Sequence, residues 1–590
     1  MQVDLVSAIF CCAQRCRAVL ILLLVCVGAA MAKPEEPLGN PPLQFFGPRD
    51  YAAGPLNWSV LQDQRGLIYA ANADGVLEFD GVSWRLIRTD RKTRARALAM
   101  ASDGRVYVGA QGEFGYLAAD PMGQMRYVAL SDQVPAAERD FSDVWLIHNL
   151  ASGVYFRSQR RLFRLHEGRL RSWPLKDVNY SATIGNRLLL FDSIDGVLEL
   201  VGESLQVLAG TDPKLLGDVQ LILPWNQDGQ VRVPADGILL GSKQKGLYVW
   251  RAGRAQALNS PVNALLARDG LRGARLLANS TVVILTLAEG PMLLDDKLRL
   301  LQRLGRAQGV AGDRAFEVAL DRQGDLWLAL DTGVARVAAF DALSRFEEST
   351  LGGSVLTALR LGDRLYVGSN TRLTWLGALP SDAERTGING HVRHLLDFDG
   401  RLMTAGNGGV YELFNGQTRL LRANVASELR RSRQDPQRVW VAERDGLASL
   451  YFQDGKWLDE GKRLDTTSVV RSMAEDRQGG LWVGTDLEGV LHIAHSAQLP
   501  SGPLAADRVQ RFSIEQGLPS VEDNQVFELE HEVLVRSREG LYRLDASGAH
   551  FAPDPRFSRL FAERAGWQLS PLGGLTVDDR GWLWLQAREQ

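Results

Sequence analysis

Cysteine is absent from the sequence after Cys26, and all four cysteines lie within the first 26 residues. The remaining chain therefore cannot form an internal disulfide, a thiolate metal site or a cysteine nucleophile. It also lacks any run of about eighteen apolar residues, the length needed for a membrane-spanning helix. The net charge is only -3, from 67 basic and 70 acidic residues, so the chain has no strong field for an anionic polymer. We expect no nucleic-acid partner.

Sequence motifs of several enzyme classes are also missing. The chain has no His-Glu-x-x-His zinc motif, no Gly-x-Ser-x-Gly nucleophile turn and no Walker-type glycine loop. Two histidine pairs, His391 with His394 and His492 with His495, are spaced i, i+3, and in a strand such residues point to opposite faces. We therefore predict no catalytic residue, no metal site and no cofactor, and we interpret these histidines as structural or surface residues.

The first 32 residues have the features of a secretion signal. Arg15 and Arg17 precede thirteen apolar or small residues, Ala18 to Ala30, and Ala30-Met31-Ala32 has the form of a signal-peptidase site. A retained membrane anchor is the weaker interpretation, because the apolar run is shorter than the hydrocarbon core of a bilayer. We predict a signal peptide at residues 1–32 and an exported, periplasmic mature chain.

One unit of the form Asp-x-x-Gly-x-aliphatic-aromatic recurs along the rest of the chain. An alternating apolar run precedes the Asp, and a second apolar run follows a later glycine, which indicates strand, turn, strand, turn, strand. The Asp, Gly and aromatic positions of the four best copies are Asp63, Gly66 and Tyr69; Asp321, Gly324 and Trp327; Asp476, Gly479 and Trp482; and Asp578, Gly581 and Trp584.

The three repeated positions have simple structural roles. An Asp side chain accepts hydrogen bonds from backbone amides just after it, and Gly supplies the positive φ that closes a short hairpin. The aromatic side chain favours a strand and suits packing against a neighbouring sheet. We therefore interpret these residues as turn and core positions, and the ligand-binding residues as unknown.

The period of the repeat is typical of a β-propeller blade, since adjacent turn glycines mostly lie 37 to 51 residues apart. We count twelve full copies and the opening of a thirteenth. The predicted fold is all-β, with tandem β-propellers of about seven four-stranded blades each and an incomplete second ring. We place the first propeller at residues 33–345 and the second, truncated in its last blade, at residues 346–590.

The incomplete count leaves two interpretations of the chain ends. Either the segment around Leu43 to Phe46 supplies a closing strand for one ring, or the sequence is cut short. We favour the second interpretation, because one closing strand still leaves the second ring short of material.

The segment Met473 to Thr485 resembles the two-component regulator propeller repeat, and Val318 to Ala329 and Thr576 to Leu585 are similar to it. The resemblance implies paired seven-bladed propellers that form the exported sensor part of a bacterial signalling protein. It also implies an output, a histidine kinase or a diguanylate cyclase, beyond a membrane helix that this sequence lacks. The family has no fixed catalytic residues in its propellers, so the resemblance carries over no site residue.

Two arginine-rich segments and three tryptophans are candidates for ligand contacts. Solvated surface is the default interpretation of the segments, and the alternative is a rim that binds an acidic ligand such as a uronic acid sugar. The tryptophans lie off the repeat's aromatic position and are either loop anchors or sugar-stacking residues. The candidates are Arg88, Arg91, Lys92, Arg94 and Arg96 in a loop between the first two blades; Arg157, Arg160, Arg161 and Arg164; and Trp173, Trp225 and Trp375.

Three functional hypotheses follow from the sequence. The preferred one is a sensor region, not itself an enzyme, that binds a small molecule or carbohydrate and transmits a change of packing, with a homodimer through the sensor possible. The second is a secreted propeller hydrolase or lyase acting on polysaccharide, which needs paired carboxylates or a His and a Tyr on one face. The third is a periplasmic scaffold that binds a protein partner.

Overall fold

The computed structural model describes residues 39–589, apart from 311, 313, 342, 377–383, 495–501, 531, 563–566, 570–574, 578–582 and 586. The predicted signal peptide and all four cysteines lie outside the described residues. Internal contacts divide the chain into two compact units, a first unit from Asn40 to Arg345 and a second unit from Phe346 onward.

The first unit consists of seven four-stranded antiparallel sheets, which we call blades 1 to 7. Blade 1 contains β2–β5, blade 2 β6–β9, blade 3 β10–β13, blade 4 β14–β17, blade 5 β18–β21 and blade 6 β22–β25, while blade 7 has the order β1-β28-β27-β26. The strands are β1 (Leu43–Phe46), β2 (Asn57–Gln62), β3 (Ile68–Asn72), β4 (Gly75–Phe79), β5 (Trp84–Ile87), β6 (Ala95–Met100), β7 (Val106–Ala110), β8 (Phe114–Ala119), β9 (Met125–Ala129), β10 (Val144–Leu150), β11 (Gly153–Ser158), β12 (Arg161–His166), β13 (Arg169–Pro174), β14 (Val178–Ile184), β15 (Arg187–Asp192), β16 (Gly196–Val201), β17 (Ser204–Val207), β18 (Val219–Trp225), β19 (Gly237–Ser242), β20 (Gly246–Arg251), β21 (Arg254–Ala257), β22 (Leu271–Leu276), β23 (Val282–Thr286), β24 (Met292–Leu294), β25 (Leu300–Arg303), β26 (Ala315–Leu320), β27 (Leu326–Leu330) and β28 (Val334–Val337).

The second unit has five four-stranded antiparallel sheets, blades 8 to 12, formed in order by β29–β32, β33–β36, β37–β40, β41–β44 and β45–β48. Two two-stranded pairs follow, β49 with β52 and β50 with β51. The strands are β29 (Val355–Leu361), β30 (Arg364–Ser369), β31 (Arg372–Leu376), β32 (Glu384–Asn389), β33 (Val392–Phe398), β34 (Arg401–Gly406), β35 (Gly409–Phe414), β36 (Gln417–Arg422), β37 (Ala426–Arg431), β38 (Arg438–Glu443), β39 (Gly446–Gln453), β40 (Lys456–Asp465), β41 (Val470–Glu475), β42 (Leu481–Thr485), β43 (Val490–Ile493), β44 (Val509–Phe512), β45 (Gln525–Leu529), β46 (Glu532–Ser537), β47 (Gly540–Leu544), β48 (Phe551–Pro553), β49 (Trp567–Leu569), β50 (Leu575–Val577), β51 (Leu583–Leu585) and β52 (Ala587–Glu589).

Helices are short and sit between strands. They are α1 (Pro48–Tyr51), α2 (Pro213–Leu216), α3 (Val262–Asp269), α4 (Glu348–Leu351) and α5 (Pro555–Ala562). Within the described ranges no helix is both long and apolar enough to cross a membrane.

Burial differs systematically between the strands of a blade. The second strand is buried along its whole length in several blades, as in β3, β7, β27 and β42, because neighbouring blades cover both faces of the sheet. Such strands are near-continuous apolar runs. The fourth strand, such as β36, is largely exposed. Between blades 1 and 2 the apolar cluster includes Tyr69 and Val76 from one sheet and Leu98 and Val108 from the other.

The fold prediction is confirmed: the chain is all-β and of the propeller type. Twelve four-stranded sheets correspond to the twelve full repeats counted in the sequence. Asp578 and Gly581 lie outside the described residues, and Trp584 lies in β51, where the side chains are not described. Of the two interpretations of the chain ends, the pairing of Leu43–Phe46 as β1 with β28 along its whole length supplies the closing strand for the first unit. Truncation of the second propeller stays a prediction.

Blade 7 packs on blade 1 through the N-terminal strand. Phe46 of β1 stacks on Trp327 at 5.9 Å between ring centroids and also contacts Phe79 of blade 1 at 5.1 Å. The Asn57 amide donates a hydrogen bond of 3.0 Å to the carbonyl oxygen of Gly333. Sequence neighbours alone cannot predict this contact, because it joins segments about 280 residues apart in the chain.

The repeated turn is built around the carboxylate of its Asp. In blade 7, Asp321 Oδ1 accepts hydrogen bonds from the amides of Gln323 and Asp325 at 3.0 and 2.8 Å. Its other oxygen accepts a 2.9 Å hydrogen bond from the Trp327 indole. The Asp and the aromatic residue therefore act as a pair, a link that the sequence analysis did not foresee.

Blade 11 repeats this arrangement and adds a histidine. Asp476 Oδ2 accepts from the Trp482 indole at 2.8 Å and lies 3.3 Å from His492 Nε2. Burial opposes ionisation of Asp476, but hydrogen bonds from His492, Trp482 and the Gly480 amide lower its pKa to about 2. The carboxylate therefore stays ionised at neutral pH.

In blade 1 the Asp and the aromatic residue of the repeat are linked indirectly, through a third side chain. Asp63 Oδ1 accepts from the amides of Arg65 and Leu67 at 2.9 and 3.0 Å. Arg65 donates to Asp63 Oδ2 at 2.9 Å and to the Tyr69 hydroxyl at 2.7 Å, so it bridges the turn and the strand. The hydroxyl of Tyr69 in turn donates to Glu78 at 2.7 Å.

Replacement of Gly479 tests the turn. Gly479 has φ +83°, and a Cβ there would lie 2.8 Å from Cγ of Gln434. We expect Gly479→Val to lower the stability of the second unit by about 1–3 kcal/mol. A valine there would have to adopt a left-handed backbone conformation, and Gln434 would crowd its side chain. Arg94→Ala, in an exposed loop, is the control and should leave thermal melting unchanged. The reverse order of effects would contradict the structural role of the turn.

Replacement of Phe46 tests the contact between blades 7 and 1. Phe46 is 7% exposed, and we expect Phe46→Ala to destabilise the first unit by about 3–5 kcal/mol through loss of packing. The neighbouring Gln44 on the same strand is exposed, so Gln44→Ala is the matched control. Equal melting of the two variants would show that β1 adds no stability.

Candidate functional site

In every blade of the first unit, one edge strand has a β-bulge near its start. These seven strands, which we call the inner strands, are β2, β6, β10, β14, β18, β22 and β26. At each bulge the pairing with the next strand skips one residue. A bulge turns the extra side chain away from the ladder. The seven skipped residues, called the bulge residues, are Trp58, Arg96, Trp145, Asn179, Gln220, Arg272 and Phe316.

All seven bulge residues line one cavity of about 540 Å³, which we call the first-unit cavity. Its lining includes five cationic and two anionic side chains, so its inner surface is positive. The inner strands contact one another in chain order, and β26 also contacts β2. The cavity is therefore bounded by residues from all seven blades.

In two blades the residue that follows the bulge accepts a hydrogen bond from a backbone amide of the next blade. In blade 1, Ser59 Oγ accepts a 3.3 Å hydrogen bond from the Leu98 amide of blade 2. In the second unit, Glu428 accepts from the Met473 amide at 2.8 Å. In these two blades the residue after the bulge therefore joins neighbouring blades, and Ser59 lines the first-unit cavity as well.

Arg96 is the centre of a cation–aromatic cluster in the cavity wall. Its guanidinium carbon lies 4.0 Å from the ring centroid of Trp58 and 4.7 Å from that of Trp145. It also forms an ion pair of 3.2 Å with Asp143. Burial lowers the pKa of Arg96 although Asp143 opposes this effect. Two aromatic rings and one carboxylate therefore contact this cation.

A second cation–aromatic pair continues this wall. The Arg272 guanidinium carbon lies 4.0 Å from the ring centroid of Phe316, whose ring meets Trp58 edge-on at 6.1 Å. Burial lowers the pKa of Arg272, with a further lowering from Arg314 and an opposite effect of Asp331. Five of the seven bulge residues are thus joined by stacking contacts.

The floor of the cavity contains Arg157. Its Nε donates to Ser181 Oγ at 3.3 Å, and its Nη1 donates to the Val178 carbonyl at 3.3 Å. Ser181 Oγ also lies 2.8 Å from His148 Nε2. Burial lowers the pKa of Arg157 to about 10, and burial together with the neighbouring arginines lowers that of His148 to about 3.

Arg275 and Glu317 form the other polar group of the floor. The two side chains make a bidentate ion pair with both N–O distances at 2.7 Å. The charge of Glu317 is the largest cause of the raised pKa of Arg275. The hydroxyl of Tyr180 donates to the Ala274 carbonyl oxygen at 3.4 Å beside this pair. Glu317 is therefore engaged as a counter-ion.

The structure separates the members of the two arginine-rich segments. Arg88, Arg91, Lys92 and Arg94 are exposed in the loop between β5 and β6. The prediction of a solvated loop was wrong for Arg96, which lies in β6 and is 9% exposed.

In the other segment Arg157 is buried in β11 at 3% exposure, whereas Arg160 is exposed. Arg161 pairs with Glu138 at 3.5 Å, and Arg164 pairs with Glu203 at 3.1 Å. One residue of each segment, Arg96 or Arg157, thus lines the same cavity.

The three candidate tryptophans lie in strands, so their assignment to loops was wrong. Trp173 in β13 is buried and donates from its indole to the Glu203 carbonyl oxygen at 2.9 Å. Trp225 ends β18 and is buried, while Trp375 lies in β31 under the guanidinium of Arg364 at 4.4 Å. None of these three residues lines the first-unit cavity.

The structure describes three of the four candidate histidines, His391, His394 and His492. His394 in β33 accepts a 3.4 Å hydrogen bond from the Leu429 amide, and His492 stacks on Trp482 at 4.2 Å. His495 lies outside the described residues. In the part of the chain that the structure describes, no group of three or more His, Cys, Asp or Glu side chains could hold a metal ion.

The second unit has a smaller cavity of about 370 Å³ with the same construction. Three of its lining residues, Arg393, Ser427 and Arg471, are skipped at bulges in β33, β37 and β41. Arg471 forms a bidentate pair with Asp486. Cationic side chains therefore recur at the bulge positions of both units.

The bulge residues were missed in the sequence analysis although a signal for them exists. Trp58, Phe316 and Arg471 each stand five residues before the Asp of their repeat. A comparison of the repeats at that fixed offset, rather than of local charge clusters, would have found them.

The comparisons with known proteins agree with this architecture. Residues 464–486 match the family described as Two component regulator propeller, which confirms the resemblance of Met473 to Thr485. The matched segment covers the end of β40, β41 and β42. No curated protein matches the chain.

Solved structures similar to the chain have low sequence identity to it. The extracellular domain of the hybrid two component system BT3049 from B. thetaiotaomicron has 16% identity and a TM-score of 0.60, over 88% of this chain and 73% of that one. The corresponding domain of BT4673 from the same organism has 16% identity and a TM-score of 0.40, over 93% and 70%. Virginiamycin B lyase from Staphylococcus aureus has 13% identity and a TM-score of 0.38, over 50% and 98%. The first of these similarities supports the fold.

The buried His148 predicts that the first unit loses stability as the pH falls. Its pKa is about 3 in the folded chain and near 6.5 when unfolded, so stability is lost as pH falls below 6.5. Between pH 7 and pH 5 this one residue should cost about 2 kcal/mol. We expect His148→Gln to lose less stability than the native chain over that interval in denaturant titrations of the first unit. An equal loss in both proteins would contradict the neutral, buried state.

Proposed function

We propose that this chain, which carries a two component regulator propeller repeat, is the ligand-sensing region of an exported bacterial signal-transduction protein. A small molecule or oligosaccharide binds in the first-unit cavity, outside the inner membrane. Binding changes the packing of the blades and is passed to a histidine kinase or diguanylate cyclase output. The observation that carries this proposal is the convergence of seven bulge residues, one from each blade, on a single cavity.

The cavity has the size and composition of a small-molecule site. About 540 Å³ is within the usual range of 300–1,000 Å³ for such sites. Tryptophan and phenylalanine rings stand beside arginine, asparagine and glutamine side chains in its wall. Stacking surfaces and directional polar groups together suit a sugar or a similar ring compound.

A ligand in this position contacts several blades at once. Each inner strand carries both a cavity-facing residue and contacts to the next blade. A ligand can shift an equilibrium between two packings only by binding one of them more tightly. Contacts to many blades provide such a difference, because a small rotation of one blade changes several of them.

The matched repeat family and the structural neighbours support the direction of the proposal. The family is described as a two component regulator, and the two B. thetaiotaomicron structures are extracellular domains of such systems. The signal-like segment at residues 1–32 is consistent with export to the periplasm.

Binding is favoured over catalysis by the state of the acidic groups in the cavity. Glu317 is paired with Arg275 through two hydrogen bonds, and Asp218 accepts a 2.9 Å hydrogen bond from Gln220. Both acidic side chains of the lining are thus engaged with neighbouring lining residues, Glu317 as the counter-ion of Arg275. We therefore propose that the chain is not an enzyme.

The proposal is tested by ligand binding to the full chain and to a tryptophan variant. We expect at least one compound in a panel of sugars, oligosaccharides and small metabolites to raise the melting temperature. Trp145, which is 37% exposed, provides a stacking surface, so Trp145→Ala should weaken that ligand about tenfold or more in calorimetric titrations.

Trp250 provides the matched control, since it lies in β20 and donates to the Ala209 carbonyl oxygen outside the cavity. Trp250→Ala should keep the native affinity. Equal weakening of both variants, or unchanged affinity in Trp145→Ala, would reject the first-unit cavity as the binding site.

A further inference from the structure

The cations of the first-unit cavity fall into two groups. Arg96 has Asp143 as its counter-ion at 3.2 Å, and Arg275 has Glu317 at 2.7 Å. In contrast, among the described residues Arg157 and Arg272 form no ion pair with a carboxylate. Two charged guanidinium groups therefore face the cavity without a bound counter-ion.

Arg157 is the stronger anchor of the two. It is 3% exposed, and its two hydrogen bonds go to neutral oxygens, those of Ser181 and the Val178 carbonyl. A guanidinium has five N–H donors in a planar fork, so further donors are left for a ligand. Burying a charge without an opposite charge is costly, and an anion that enters the cavity removes part of this cost.

Arg272, in the cavity wall, is the second cation that forms no ion pair with a carboxylate among the described residues. It rests on Phe316 at 4.0 Å, and Asp331 acts on it only at a distance beyond an ion pair. Lys243 adds a third cation to the lining, and Asp218 is the acidic lining residue outside the pair of Arg275 and Glu317. The side chains that line the cavity therefore carry a net positive charge.

We propose that the first-unit cavity recognises a ligand that carries a carboxylate and a ring with a stacking face, with Arg157 as the group that binds the carboxylate and Arg272 as a second cation of the lining. The inference rests on the proposed function of the cavity as a ligand site. Arginine binds carboxylates through two parallel hydrogen bonds, and the half-exposed ring of Trp145 offers a stacking face. Uronic acid sugars and aromatic carboxylates share this chemistry.

The experiment compares acidic probes with neutral counterparts of similar shape by isothermal titration calorimetry on the full chain. The acidic probes are glucuronate, galacturonate, a digalacturonate and benzoate; their neutral counterparts are glucose, galactose, a digalactoside and benzamide. We expect an acidic probe to bind at least about tenfold more tightly than its neutral counterpart, as expected for a charge-assisted bidentate pair.

Two arginine variants assign the contact. Arg157→Met should weaken the acidic probe about 10- to 100-fold and change the neutral probe little, because only the acid uses the guanidinium. Arg91→Met, in the exposed loop, is the control and should behave as the native chain. Arg157→Lys keeps the charge without the fork, so it should bind with intermediate affinity, and it provides the test if the Met variant does not fold.

Each outcome separates this inference from the proposed function. Neutral probes that bind as tightly as acids, or loss of both in Arg157→Met, would overturn carboxylate recognition and leave the ligand-sensing role in place. Failure of every acidic probe while a neutral compound of the wider panel binds would overturn it in the same way. Failure of the whole panel would reject both. Tighter binding of benzoate than of uronates would support the carboxylate contact and would identify an aromatic carboxylate, rather than a uronic acid, as the ligand class.

Discussion

The structure depends on one constraint: a four-stranded blade has two apolar faces, and only neighbouring blades can cover both of them. In the first unit this requirement is met by β1, which joins the last blade although it comes from the start of the unit. Phe46 then packs against Trp327 of its own blade and Phe79 of blade 1. The inner strands of these two blades, β26 and β2, also contact each other, and both contribute residues to the first-unit cavity.

The cavity is a product of irregular strand pairing. A regular ladder would point successive side chains to the two faces of each sheet, whereas a bulge turns one residue per blade toward the centre. The next residue stays in the ladder, and in blade 1 it joins two blades, since Ser59 accepts a hydrogen bond from the Leu98 amide. The bulge residues differ from blade to blade, so the same backbone irregularity brings tryptophan, arginine, asparagine, glutamine and phenylalanine side chains to one cavity.

Local chemistry explains which parts of the fold could be predicted. The turn around Asp321 follows from short-range hydrogen bonds and a glycine at positive φ, so its position was visible in the sequence, although the bond to the Trp327 indole was not. Arg96 and Arg157 were misjudged for the opposite reason. They stand among other basic residues in the sequence, but each lies in a strand and lines the cavity, whereas the other basic residues of its segment do not.

The sequence by itself determined the repeat, the blade type, the all-β class and the absence of thiol chemistry after Cys26, because these depend on spacing and composition. Only the tertiary structure decided that β1 completes blade 7, that Trp58, Arg96 and Phe316 meet around one cavity, and that Arg157 is buried there with no carboxylate partner among the described residues. These features join residues far apart in the chain. Their energies come from packing and from charge in a buried environment, which no local pattern encodes.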